Sequence, residues 1–293
     1  MSFSPRRCQP ETASRSVSLA TWRELLGQCR GNPTSACVHR LRVATVRLQA
    51  EAEYWLCEHS DDSLAERPVR HWCKQGEKLR CALRAVREAD VQLKLLIGLR
   101  RPAPRLATVQ PHCTPSCLLQ IVQVEARIAQ KRRRAVKKLV GKLQERGAKL
   151  DRLGRELQAV LHAESQPGAL PTAAMVSEMF HRLTEEFPAL DRDNLHAYRK
   201  RMKAICALAV LGATDLAVGR FAVSLKKMLA AVGQWHDWQE LARLAERILG
   251  AREDGLRKML EGLAAESLQM ALRTCQEEST ELLNAGRQAK LQV

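Results

Sequence analysis

Two short runs carry the residues best suited to chemistry. In His39-Arg40-Leu41-Arg42-Val43-Ala44-Thr45-Val46-Arg47-Leu48 a His and an Arg stand three residues apart. In His196-Ala197-Tyr198-Arg199-Lys200-Arg201-Met202-Lys203 the spacing returns, with a Lys four residues further on. Helical spacings of three and four put side chains on one face, so each run can offer imidazole, guanidinium and ammonium donors to a single anion. Metal binding is the poorer use, because the basic neighbours of both histidines repel a cation. The one compact soft-ligand cluster is His112, Cys113 and Cys117 in a Pro-rich loop, and no metal is expected there. The chain has neither a Gly-x-x-x-x-Gly-Lys phosphate loop nor a His-Glu-x-x-His zinc motif, and no catalytic residue or cofactor is expected.

Helices must position these donors. At 100° per residue Leu41, Ala44, Leu48 and Trp55 form an apolar stripe, His39 and Arg42 point away from it, and Arg40 and Arg47 flank them. In the second run Tyr198, Met202, Ile205 and Ala209 make the stripe while His196, Arg199 and Lys203 share the other face. The expected helices before the midpoint are 17–29, a second capped by Asn32 with Pro33 in its first turn and running to His59, 68–99, and 116–161 with a break near Gly147 or Gly154. Four prolines make 100–115 a connection. Ser165-Gln-Pro-Gly-Ala-Leu-Pro171 reads as a linker. Helices are expected after it at 172–186, 194–211 (capped by Asp191 or Asp193), 215–232, 234–249 and 253–285. The linker separates two sets of about four helices, 17–164 and 172–293, each with the basic run on its second long helix. That is an internal duplication. The polar residues 1–16 are expected to be a disordered lead-in.

The bulk numbers agree with an all-α chain that binds an anion. Hydrophobic residues are 45% and aromatics only 4%, and the apolar positions recur at helical spacing. Lys+Arg number 48 against 32 Asp+Glu, a formal charge of +16. Such a balance calls for nucleic acid, polyphosphate or an acidic membrane surface. Ten cysteines without a disulfide-framework spacing read as reduced thiols of a cytoplasmic protein. No stretch resembles a signal peptide or a membrane span. Between Ile121 and Leu150 ten Lys or Arg face only Glu125 and Glu145, a net of eight charges and half the excess of the whole chain. Arg132 falls within about 40° of the stripe formed by Ile121, Ile128, Ala135 and Leu139, an odd place for a solvated cation.

Each half has a further pattern after its basic run: Leu83-x-x-x-Arg87-x-x-Asp90-Val91 and Leu229-x-x-Val232-Gly233-x-x-x-Asp237. Either carboxylate could orient a His or Arg of the basic runs, or serve as a helix cap or surface acid. With His39-x-x-Arg42-Val-Ala-x-x-Arg47-Leu and His196-x-x-Arg199-x-x-x-Lys203, the four patterns in this order resemble the CHAD domain, the conserved histidine α-helical domain, over residue 17 to the C-terminus. The resemblance implies two four-helix bundles related by a pseudo-twofold, with basic residues of both halves lining a central cavity. It also implies binding of inorganic polyphosphate, without catalysis, and association with cytoplasmic polyphosphate granules. Carried over by position, the set is His39, Arg42, Arg47, Arg87, His196, Arg199 and Lys203, with Asp90 and Asp237 as orienting acids. Arg40, Lys200, Lys226 and, on the long basic helix, Arg127, Lys131, Arg134 and Lys138 complete the candidate binding residues. Val46, Gln49 and Cys206 stand where the family often has a basic residue, and Arg84 and Glu88 replace its more usual Gly and Asp.

Polyphosphate is a flexible chain of negative units without bases, so its binder needs many Lys and Arg donors and no stacking platforms. Nucleic acid is the main rival, but the chain has two Tyr and four Phe and no recognised DNA- or RNA-binding motif. The CYTH domain that can accompany CHAD domains would show a Glu-x-Glu-x-Lys strand. Here Glu51-Ala52-Glu53 lies in a helical pattern with Trp55 in the Lys place.

Overall fold

The computed structural model describes residues 19–59, 63–100, 115–163, 170–250 and 254–291. Among these the chain forms eight helices and no strand: α1 (Leu19–Gly31), α2 (Ser35–Glu58), α3 (Ser63–Leu99), α4 (Pro115–Ala163), α5 (Ala173–Glu186), α6 (Leu195–Leu211), α7 (Leu216–Leu249) and α8 (Asp254–Leu291). The 1–16 lead-in, His112 and Cys113, and most of both expected connections lie outside the described residues.

Helices α1 to α4 enclose one core and α5 to α8 another. The first is pinned by Trp22, which is fully buried. Its indole N–H donates to Thr45 Oγ1 at 3.0 Å, and the Thr45 hydroxyl in turn donates to the Leu41 carbonyl at 2.7 Å. Trp22 also meets Trp72 of α3 edge-on, with ring centroids 5.9 Å apart. One side chain of α1 thus fixes the rotation of α2, whose stripe of Leu41, Ala44, Leu48 and Trp55 is buried as its spacing predicts. In the second core Tyr198, Met202, Ile205 and Ala209 of α6 are buried in the same manner. A third cluster joins the halves: Leu96 of α3, Ile121, Val124 and Ile128 of α4, Leu241 of α7, and Leu256 and Leu260 of α8. There the Gln120 side chain of α4 accepts from the Leu256 backbone N–H at 2.8 Å, satisfying one of the free donors at the start of α8.

Several expected boundaries move. Thr34, not Asn32, caps α2, its hydroxyl accepting from the Cys37 N–H at 3.2 Å. Helix α3 starts at Ser63, with Pro68 inside its second turn, where the missing N–H forfeits one hydrogen bond only. Asp191 closes the turn before α6 by accepting from the backbone of Asp193 and Asn194, and Asn194 takes the cap position without a side-chain cap bond. The remaining corrections concern glycines read as breaks. Helix α4 runs unbroken through Gly147 and Gly154, because those positions admit α1: a Cβ at 147 would lie 2.9 Å from Arg30 Nε, and one at 154 only 3.2 Å from the Trp22 ring. Likewise 215–232 and 234–249 are one helix, α7, continuous through Gly233.

These roles separate the helical glycines by stability. Gly141 has nothing within 4 Å of where a Cβ would sit, so Gly141→Ala should raise unfolding stability by about 1 kcal/mol through helix propensity. Gly154→Ala should show no such gain, because Trp22 is locked by Thr45 and Trp72 and cannot yield. Urea unfolding midpoints of the two variants at unchanged slope check this.

Candidate anion-binding site

The charged faces of the two motif helices meet where the halves meet. Helix α2 packs on α6 and α3 on α7. Into this junction α2 brings His39 and Arg42, and α6 brings His196, Arg199 and Lys203. Helix α3 adds Arg80, Arg84 and Arg87 at spacings of four and three, and α7 adds Gly233, His236, Asp237 and Glu240. Arg42 Nη1 donates to the Arg80 carbonyl at 3.4 Å. The His196 and His236 rings lie 5.2 Å apart, centroid to centroid. Arg199 lies against α7 at Gly233, where a Cβ would stand 3.4 Å from Nη2, an ordinary contact distance.

Burial and crowding of the cations shift their pKa values. Burial and then the charges of Arg80, Arg84 and Arg199 lower Arg42, with Glu88 opposing. Arg199 is lowered by burial and supported by Asp237. Lys203 is pushed down to about 8 by burial and by Arg199, Arg42, Arg80 and Arg84. Burial, then Arg87 and Arg42, hold His39 below the usual imidazole range. Burial, then Lys200, Arg199 and Lys203, do the same to His196. His236 is lowered by burial and Arg199. Asp237 is raised, since burial outweighs the attraction of Arg199, Arg87 and Lys203. His39 and Lys203 nevertheless keep solvent contact. The cations are crowded side by side where α2, α3, α6 and α7 come together. Among them the Nε groups of Arg80 and Arg199 are shielded from solvent and have no acceptor. A buried donor without an acceptor is costly.

Of the residues singled out from sequence, His39, Arg42, Arg87, His196, Arg199, Lys203 and Asp237 come together, with Lys200 exposed beside His196. Lys226 lies two turns down the same face of α7, beside Cys206. Arg40 turns the other way, its guanidinium 3.5 Å from the Gln28 side chain of α1. Arg47 is exposed, about 140° around α2 from Arg42. Asp90 orients no motif residue: it pairs with Arg132 of α4 at 2.5 Å, which accounts for that arginine's place near the apolar stripe. Arg127, Lys131, Arg134 and Lys138 stand exposed on α4, and the charges that shift the cluster all belong to α2, α3, α6 and α7. Sequence reasoning missed Arg80, His236 and Glu240 and took Arg84 only as a departure from a pattern. The available signal was spacing, since 80, 84 and 87 share one face of α3, and 233, 236, 237 and 240 one face of α7.

Among the described residues no group of three or more His, Cys, Asp or Glu is placed to hold a metal ion, and Cys117 is buried in the cluster between the halves. The eight described cysteines are free thiols. No described helix is long and apolar enough to cross a membrane. Two concavities of about 410 and 420 Å³ lie elsewhere, one between the α5–α6 turn and α8 and one between α7 and α8.

Lys203 makes the crowding measurable. At pH 8 about half of a lysine titrating near 8 is neutral, against about one in 250 of ordinary lysines. In competitive labelling with a small uncharged acylating reagent, read by mass spectrometry, Lys203 should react roughly tenfold faster than exposed Lys200 at this pH, the lower basicity offsetting part of the gain in free amine. The sign of the linked stability follows. Between about pH 8 and the ordinary value of 10.5 the unfolded chain holds a proton that folded Lys203 has released, so this group makes stability rise with pH across that window. Lys203→Met should remove that slope.

No family model, curated protein or solved structure matches this chain. Its function is therefore to be read from the chemistry of the cluster itself.

Proposed function

We propose that the chain is a CHAD-type protein that binds inorganic polyphosphate, without catalysis, in a depression between α2, α3, α6 and α7. The observation that carries this reading is the convergence of Arg42, Arg80, Arg84, Arg87, Arg199 and Lys203 from both halves, with shielded Nε donors on Arg80 and Arg199 that have no acceptor. Their electrostatic neighbours include three acids, Glu88, Asp237 and Glu240, so the depression stays net positive. A string of phosphates supplies acceptors in every direction and tolerates the uneven spacing of donors on four helices. A base-bearing polymer would profit from stacking, yet among the described residues no Trp, Tyr or Phe is exposed. Two sets of four helices, each with its own core, support this reading, which calls for a duplicated unit, and association with polyphosphate granules would follow from the ligand.

Arg42→Ala with Arg199→Ala should weaken binding of long-chain polyphosphate by roughly 3–6 kcal/mol, since each charge-assisted contact is worth about 1.5–3 kcal/mol. The chain should still fold, because both substitutions relieve like-charge crowding. A charge-matched control, Arg220→Ala with Arg273→Ala, alters two exposed arginines that form no ion pair among the described residues and should cost far less. Equal losses in the two double variants would leave net charge as the whole explanation and sink the proposed site. Competition by single-stranded RNA at equal phosphate concentration would instead favour the nucleic-acid reading.

Salt and pH give a further check. The logarithm of affinity should fall with the logarithm of salt by about 0.7 per phosphate neutralised, on the single-strand value. A bound polyanion raises the depressed pKa values of His39, His196, His236 and Lys203, so binding takes up protons and tightens as pH falls from 8.5 to 5.5. Isothermal titration in buffers of different ionisation enthalpy measures that uptake.

A further inference from the structure

Helix α4 carries a second concentration of positive charge that the cluster does not use. Arg127, Lys131, Arg134, Lys138, Lys142 and Lys149 follow one another at spacings of four, three, four, four and seven, which places them along a single flank of the helix. The flank is about 33 Å long at 1.5 Å per residue. All six residues are exposed, and among the described residues none forms an ion pair. Some other surface cations of this protein do find an acid one turn away: Arg70 with Glu66, Arg152 with Glu156, Arg155 with Asp151 and Arg182 with Glu178. Of the two acids on this stretch, Glu125 pairs with Arg100, and Glu145, on the flank between Lys142 and Lys149, lies 3.6 Å from Arg146. Cations one turn apart destabilise a helix, and here the repulsion is repeated four times in succession between 127 and 142. It is tolerated because an adjoining face of α4, about a quarter turn away, is held by Ile121, Val124, Ile128, Leu139, Leu143 and Leu150, all buried. The result is a row of cations without ion pairs among the described residues, with Arg133 and Lys137 the exposed cations off the row between 127 and 142. A single row of this kind fits one extended strand of anions better than the two phosphate ridges of a duplex.

We propose that this flank of α4 is a second, separate contact for polyphosphate, so that a long chain held in the depression is gripped again along α4 and long chains are selected over short ones. The proposal rests on the polyphosphate reading of the cluster. A flexible chain anchored at one site presents its remaining phosphates to the other at an effective concentration in the millimolar range, and such a second contact multiplies affinity by roughly 10²- to 10⁴-fold without altering either site. Chains too short to leave the depression gain nothing.

The test compares the full chain with the variant Lys131→Gln, Arg134→Gln, Lys138→Gln, titrating each with tripolyphosphate and with long-chain polyphosphate. The unaltered protein should bind the long chain at least about 100-fold more tightly per chain than a statistical count of phosphates accounts for. The variant should lose most of that excess while its affinity for tripolyphosphate stays within about twofold. A conservative variant, Lys131→Arg with Lys138→Arg, keeps the charge and should keep the excess, which separates contact from any structural effect of the substitutions. Circular dichroism at matched temperature establishes that each variant is folded. The proposal is overturned if the Gln variant retains the long-chain excess, if both affinities fall together, or if the long-chain excess is absent from the unaltered protein. If neither polyphosphate binds the unaltered protein, the reading of the cluster has failed. Binding of single-stranded RNA that depends on the three residues, with no polyphosphate binding, would assign the flank to a different ligand and overturn the proposal as well.

Discussion

Everything in this protein has to accommodate the mutual repulsion of cations at the junction of its halves. Arg42 feels the charges of Arg80, Arg84 and Arg199, and Lys203 feels those of all four. The opposing force is apolar burial. In the third core cluster alone, Leu96, Ile121, Val124, Ile128, Leu241, Leu256 and Leu260 are withdrawn from water. Each such side chain is worth roughly 1.5–3 kcal/mol, shared between packing within each half and packing across the seam. The seam lies where α3 and α4 meet α7 and α8, so attraction and repulsion act at different places along the same helices.

Orientation matters as much as strength. A helix whose stripe rotated by one residue would turn Arg42 by about 100° and lose the convergence. Helix α2 is fixed against that by the Trp22–Thr45–Leu41 hydrogen-bond chain, and α6 by the burial of Tyr198 and Met202. On α7 the control is of the opposite kind. There Arg199 lies against the helix at Gly233, and the Asp237 carboxylate one turn further on eases its charge.

Much of this was legible in the sequence, and what was not has a physical cause. The all-helical class, the buried stripes of α2 and α6 and the outward faces opposite them follow from spacing alone. Glycine was the recurring source of error. Propensity treats Gly147, Gly154 and Gly233 as weak points, yet all three lie inside continuous helices; at 147 and 154 a Cβ would crowd Arg30 and Trp22, and at 233 it would only touch Arg199. No local signal distinguishes a glycine that ends a helix from one that admits a neighbour. Arg80 and Arg84 were overlooked for a related reason: helix α3 is dotted with arginines on several faces, and only its packing angle against α2 and α7 selects 80, 84 and 87. Asp90 shows the converse. Its spacing matched an orienting role, but a partner on α4, Arg132, lay closer than any motif residue.

The acids of the junction bear on how such a site can exist before its ligand arrives. Glu88 opposes the lowering of Arg42, Asp237 that of Arg199, and Glu240 that of His196 and His236. Their close pairing is with other residues or loose: Glu240 accepts from Arg243 at 2.9 Å, and Glu88 stands 4.0 Å from Arg84. Asp237 is informative in this respect, because its own pKa is raised although three cations surround it. Had it formed a bidentate pair with Arg199, the carboxylate would be strongly favoured and the guanidinium satisfied. Instead burial prevails at the carboxylate, and Arg199 keeps an Nε donor with no acceptor. The charges are thus moderated enough for the chain to fold, while the hydrogen-bonding capacity that an anion would use is left in place.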